Sequence, residues 1–194
     1  MEDKIVPVGG DFSRIFDRQD YLAMVSIPDE ATCILRGHLI LEEVLNLWSS
    51  KITSTDDLFS GIFVPFKTKL VICKNMCLDE ELFDVLDKIN NIRNRFSHRK
   101  GYKIELSSID SLKNKVNSIV PSAKIQDCET FHIFLGGKDQ NGNPGEKKYT
   151  WEDSDNRLKF VLIFVILMLK ITYWMQIEFN NRGIDYTIRS IDHS

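Results

Sequence analysis

The chain has 194 residues, is 43% hydrophobic and 27% charged, and carries a formal net charge of −3. The length suits one domain with a substantial buried core, and the composition is that of an ordinary soluble globular protein. The slightly acidic balance excludes a general DNA-coating protein, so any contact with nucleic acid has to be local.

Met1-Glu2-Asp3-Lys4 shows no charged-then-apolar signal pattern. The four cysteines form no disulfide framework. Cys73 and Cys77, four apart, are half of a metal-site spacing without a second pair to complete it. The expectation is reduced thiols in a cytoplasmic protein with no metal and no cofactor.

Residues 1–25 read as a polar lead-in, a strap with Asp11 capping a short helix that carries Phe12, Ile15 and Phe16. A capping pattern, Ser26-Ile27-Pro28-Asp29, opens the first long helix, on which Ile27, Ala31, Ile34, Leu41, Leu45 and Trp48 follow helical spacing. His38 falls on or near that stripe and reads as a core histidine, while Glu42 and Glu43 read as a solvated face. Ser49 to Asp57 reads as a loop, and a second helix runs from about Pro65 to about Lys74, with Lys67 and Lys69 as exposed lysines.

The central helix is the most strongly patterned element. Asp79 is a good N-cap, with Glu80 and Glu81 in the first turn where the helix dipole favours anions. Leu82, Val85, Leu86, Ile89, Ile92 and Phe96 share one face. Gly101 reads as the residue just past its end, which places His98, Arg99 and Lys100 in the last turn. From Lys88 to Lys103 there are six Lys or Arg residues and no Asp or Glu. Arg93 and His98 lie about 140° apart on an ideal helix, with Asn94 between them. One copy therefore does not close these side chains around a small group, whereas two copies across a twofold axis build a cleft from both sets.

Ser107 to Val120 reads as another helix, ended by Pro121. Phe131–Leu135 and Lys147–Trp151 read as two strands of a hairpin inserted at about residues 130–151, joined by a turn-rich run from Gly136 to Gly145. Gly136-Gly137-Lys138 lacks the spacing of a phosphate loop. The last helix starts near Asp153 to Asp155 and reaches about Asn180. Its uninterrupted apolar run, Phe160 to Leu169, is ten residues, against about 20 needed for a membrane span. It reads as the bundle's central rod or a subunit contact, not as a membrane segment. The expected architecture is thus a mainly α helical bundle over residues 26–180 with one small β-hairpin, followed by a C-terminal segment, 181–194, in which Ile184–Ile188 reads as a terminal strand or tail.

Arg93-Asn94-Arg95-Phe96-Ser97-His98 resembles the R-x4-6-H motif of the HEPN superfamily, with a polar residue after the Arg. The wider phrase from Ile89 to His98 is similar to the "IRN-x-FAH" segment of the mannitol operon repressor (MltR-like) family. Leu39–Leu45 and Phe66–Leu70 are similar in kind and order to that family's first two helices, and Asn156–Val161 to the start of its last. The resemblance covers roughly residues 30–105 and 153–178. It implies a HEPN-like bundle, a homodimer in which two motifs meet, and RNA cleavage at Arg93, Asn94 and His98.

The residue types suit that chemistry. Cleavage of RNA by its own 2′-OH needs a base, an acid and positive charge on the phosphate. Histidine serves as acid or base near neutral pH, and arginine holds a phosphate through its planar fork. Asn94 orients one or the other, and Arg95, Arg99, Lys100 and Lys103 are expected to hold the RNA backbone. The expected function is a metal-independent endoribonuclease of toxin or antiviral-defence type, with RNA, a second copy and an antitoxin or regulatory protein as partners. The alternative is a non-catalytic MltR-like transcriptional regulator or protein-interaction module. A third reading, binding of a phosphate-bearing ligand without cleavage, lies between them. No helix-turn-helix phrase is present to read an operator directly.

Overall fold

The structure, a computed structural model, describes residues 9–119, 124–138 and 144–188. After a short 3-10 turn at Gly10–Phe12 come α1 (Arg18–Ser26), α2 (Glu30–Thr53), α3 (Phe66–Asn75), α4 (Glu80–His98) and α5 (Leu106–Ser118). A hairpin of β1 (Ile133–Lys138) and β2 (Pro144–Tyr149) follows, then α6 (Asn156–Arg182). The protein is a mainly α-helical bundle, with six helices and one small antiparallel hairpin among the described residues.

Side-chain caps fix the helix starts. The carboxylates of Asp17, Asp29, Asp79 and Asp155 each accept from a backbone N–H in the first turn of α1, α2, α4 and α6, satisfying donors that have no intrahelical partner. At its other end α6 closes on Gly183 in a left-handed conformation, with the N–H of Ile184 reaching back to the carbonyl of Phe179.

α6 is the rod on which the bundle is assembled. It packs on α1, α2 and α5, while α4 packs on α2, α3 and α5. By length and composition α6 would pass for a membrane span, but 78% of its most apolar window is buried inside the bundle. Trp48 of α2 packs against Trp174 of α6, tilted, at 4.6 Å between ring centroids and stacks on Phe179 at 5.6 Å. α6 also carries two buried cations. Arg157 Nη1 donates to the carbonyls of Met24 (2.7 Å) and Val25 (3.2 Å) in the last turn of α1. Lys170 Nζ donates to those of Val116 (2.8 Å) and Asn117 (2.9 Å) at the end of α5, and to that of Ile119 just beyond (3.5 Å). Each closes a neighbour's C-terminus, where carbonyls are unpaired and the dipole favours positive charge.

Several elements depart from the sequence reading. The expected strap contains α1, and Phe12 and Ile15 are fully in the core. Its start is tied to the other end of the chain: the N–H of Asp11 donates to the carbonyl of Thr187, the N–H of Thr187 donates to the Asp11 carboxylate, and Lys51 pairs with that carboxylate at 2.8 Å. Of the two readings of residues 184–188, strand or tail, the structure shows the tail, and Ile184 and Tyr186 pack on the core. α2 continues through Ser49 to Thr53, with Ser49 fully buried and both hydroxyls turned back along the helix, Ser49 to the carbonyl of Asn46 and Thr53 to that of Ser49. Residues 1–8 of the lead-in, the Pro121 stop, the centre of the hairpin turn and the tail beyond 188 lie outside the described residues.

Candidate functional site

α4 carries Arg93, Asn94 and His98, and its end differs from expectation. The helix stops at His98. Arg99 is extended (φ −130°, ψ 106°), and Gly101 takes its left-handed conformation (φ +73°) in the turn that follows. Arg99 and Lys100 therefore lie beyond the helix, in a turn closed by the N–H of Tyr102 donating to the carbonyl of Arg99 at 3.2 Å. Phe96 is half-buried, edge-on to Tyr102 at 4.9 Å. The two rings, with Arg99, Lys100 and Lys103, border a shallow cavity of about 430 Å³ whose other wall is the start of α2, including Asp29 and Glu30. Arg95 is exposed, and its guanidinium donates to the Tyr102 hydroxyl at 3.4 Å.

Arg93 and Asn94 form one unit: Arg93 Nη1 donates to Asn94 Oδ1 at 3.1 Å. Both are half-buried. Arg93 Nε is fully buried and has no acceptor among the described residues, a costly state for a charged donor unless something else meets it. His98 is exposed and makes no side-chain hydrogen bond or ion pair among the described residues. Within one chain the structure thus couples Arg93 to Asn94 and leaves His98 apart, as the 140° separation requires.

A second set of polar residues lies behind Arg93. His38 of α2 is buried (4% exposed), its ring packed against Phe66 at 4.3 Å between centroids. His38 Nε2 lies 3.3 Å from Oδ1 of the buried Asn90 of α4. His38 Nδ1 is 3.9 Å from Glu42 Oε1. Glu42 in turn pairs with the nearly buried Lys69 of α3 at 2.9 Å, and Lys69 also reaches Asn46 Oδ1 at 3.4 Å. Burial pushes the His38 imidazole below its ordinary pKa, and the positive charge of Arg93 acts in the same direction. The Asn90 bond and the Glu42 charge oppose them. Helical periodicity made His38 look like a core histidine and Glu42 and Lys69 like surface. The missing signal was three-dimensional: Asn90 of α4 faces His38 one turn before Arg93.

Cys33, Cys73 and Cys128 are buried, which pushes their thiols up to about 12. Cys77 lies past the end of α3 with φ +63° and is exposed, so Cys73 and Cys77 do not share a helix face. Among the described residues no group of three or more His, Cys, Asp or Glu is placed to hold a metal ion.

Comparison with protein-family models, with curated proteins and with solved structures finds no match.

Proposed function

We propose that this protein is a metal-independent endoribonuclease of HEPN type, with a toxin or antiviral-defence role, whose site is completed by a second copy. The observation that carries this reading is the division of labour on α4: a mutually bonded Arg93–Asn94 pair with a buried, unmet Nε donor, and one turn later an exposed His98, in a stretch free of carboxylates. In the reaction the RNA 2′-oxygen attacks the adjacent phosphorus and the P–O bond to the 5′-oxygen of the next nucleotide breaks. The products are a 2′,3′-cyclic phosphate and a 5′-hydroxyl. His98 takes the 2′-hydroxyl proton or gives one to the departing oxygen, with water covering the other role, and the Arg93 that meets it comes from the second copy across the twofold axis. Arg93, oriented by Asn94, stabilises the charge gathering on the phosphate. Arg95, Arg99, Lys100 and Lys103 hold the flanking backbone. α2, packed beside α4, presents exposed Leu35 and Leu39 as apolar surface for the second copy. A cytoplasmic setting belongs to the same reading, supported by four unpaired thiols.

The test is incubation of a broad RNA panel with wild type and His98→Ala in the presence of EDTA. Cutting by wild type that is lost in the variant is the expected result. An intact panel at high protein concentration, or cutting unchanged in His98→Ala, ends this reading.

One observation favours a non-catalytic regulator or interaction module. Phe63 and Ile62, in the loop between α2 and α3, are 91% and 75% exposed, more than a free surface ordinarily gives to adjacent large apolar side chains. On that reading the RNA panel stays intact and Phe63→Ser abolishes capture of a protein partner.

A further inference from the structure

The cavity between the start of α2 and the turn after α4 measures about 430 Å³, inside the range of small-molecule sites, about 300–1,000 Å³. Its two walls are tied together. Glu30 Oε2 accepts from the N–H of Ile104 at 2.8 Å, and Asn156 Nδ2 donates to the carbonyl of Ile104 at 2.8 Å. The turn that carries Lys100 and Lys103 is thus fixed against α2 and α6 before any ligand arrives.

The lining divides by charge. Arg99, Lys100 and Lys103 come from the turn, and Asp29 and Glu30 from α2 and its cap. None of the three cations lies within ion-pair reach of either carboxylate. Exposed lysines elsewhere do find one, as Lys67 with Asp87 at 2.6 Å and Lys115 with Asp84 at 3.2 Å. Asp29 is engaged as the cap of α2, taking the N–H and the hydroxyl of Thr32 at 2.7 and 2.6 Å. Glu30 is half-buried, and its Oε1 accepts no hydrogen bond among the described residues. Opposite charges that border one cavity without neutralising each other suit a ligand carrying both an anionic group and N–H donors.

Two rings complete the lining. Phe96 and Tyr102 pack edge-on, their planes 78° apart. In a perpendicular pair the ring that contributes its edge has neither face covered by the other, so a flat base can stack there. A nucleotide unites these three needs: a flat base for the rings, a phosphate for the cations and, on some bases, an N–H edge for a carboxylate. Guanine offers that edge best, with N1–H and an exocyclic amino group side by side. Uracil sets its one N–H between two carbonyl oxygens, which a carboxylate repels.

We propose that this cavity is a base-reading site for one nucleotide, with guanine preferred. Glu30 accepts from the N–H edge of the base, the Phe96–Tyr102 pair stacks on its face, and Arg99, Lys100 and Lys103 hold its phosphate. Phe96 and Arg99 flank His98 in the chain, so the nucleotide held here adjoins the bond that is cut and sets where cutting occurs. That placing within RNA rests on the endoribonuclease reading, whereas recognition of the base does not.

The experiment measures binding to the full chain by ligand-detected NMR and calorimetry. The probes are guanosine and uridine 5′-monophosphates, and two 2′-O-methyl trinucleotides, which lack the attacking hydroxyl and differ only in a central G or U. Wild type is expected to favour the guanine member of each pair on the order of tenfold. In Glu30→Gln the amide oxygen can keep the Ile104 bond while the amide nitrogen turns to the base, so a donor replaces an acceptor and the preference is lost or reversed. Tyr102→Ala should weaken binding of the guanine probes on the order of tenfold. Lys100→Gln with Lys103→Gln should weaken both monophosphates and keep their ratio. Equal binding of the two monophosphates by wild type overturns the site, as does no binding of any probe. So does an unchanged ratio in Glu30→Gln with its melting temperature intact. Tighter binding of the G trinucleotide than of the monophosphate supports a nucleotide within RNA, and the reverse overturns that placing in favour of a free nucleotide. Cleavage is read separately on unmodified RNA. A chain that prefers guanine but never cuts removes the endoribonuclease reading and keeps the site. Cutting without regard to base, unchanged in Glu30→Gln, does the opposite.

Discussion

His38 Nε2 and Asn90 Oδ1 lie 3.3 Å apart, joining α2 to α4 through two buried polar side chains one turn behind Arg93. With Asn90 presenting its oxygen, the neutral imidazole carries its proton on Nε2 and donates it. A second proton would have to be held on Nδ1 in a buried site where the Arg93 charge also opposes it. Glu42, the carboxylate near Nδ1, is already engaged by Lys69.

The consequence is a pH dependence of stability. The folded-state pKa of His38 is lowered, so between that value and the unfolded value of about 6.5 the unfolded chain binds more protons than the fold. Stability from this residue is complete above about pH 6.5 and is lost as pH falls through the folded value. Urea unfolding of wild type should therefore weaken below about pH 6.5, and His38→Gln, which stays neutral, should flatten that part of the curve. An identical slope in the two proteins would show that His38 is not the group responsible.

Ile89 and His98 sit on one helix and should respond oppositely. Ile89 is fully buried among the packed helices, so Ile89→Ala removes transfer energy and leaves a cavity, costing about 2–5 kcal/mol. His98 is exposed and unpartnered among the described residues, so His98→Ala should leave the melting temperature nearly unchanged. Thermal unfolding of both variants decides, and a large loss in His98→Ala would make that residue structural.

Lys170 offers a sharper case, because its position looks wrong for a charge. It is 1% exposed in the middle of α6, yet its ammonium meets three carbonyls at the end of α5. Lys170→Met keeps most of the volume and strands those carbonyls, a cost of about 1–3 kcal/mol for buried unsatisfied groups. Denaturant midpoints measure it, and a midpoint equal to or above wild type would show that removing the buried charge outweighs the lost bonds.

What the sequence revealed and what it hid follow from the range of the forces involved. Asp79 and Asp155 act within one turn, so the helix starts they set were legible. The stripe from Leu82 to Ile92 was legible for the same reason. α1 was hidden because its helical face is weakly apolar and its partners, α2 and α6, lie far along the chain. The end of α4 was misplaced by two residues because Gly101 serves the turn from Arg99 to Tyr102 and not the helix terminus. At the site, the basic island and the Arg93–His98 spacing could be read directly, but the His38–Asn90 bond spans 52 residues and no periodicity encodes it.

The separation of Arg93 from His98 on one helix makes a prediction about subunits. If the groove is shared across a twofold axis, each working site takes Arg93 from one copy and His98 from the other. Arg93→Ala and His98→Ala homodimers should then both be inactive on RNA, the first for want of phosphate stabilisation and the second for want of proton transfer. Mixed after co-refolding, the two variants form some heterodimers in which the Arg93 of one chain faces the His98 of the other, restoring one complete site. Activity should therefore return in the mixture, to a fraction of wild type set by the share of heterodimers, and it should persist in EDTA. A site built within one chain gives the opposite result, because each subunit of the heterodimer lacks one of the two residues. Activity that stays absent in a mixture shown by native mass spectrometry to contain heterodimers would rule out the shared groove, and the 140° between Arg93 and His98 would then have to be bridged within a single subunit.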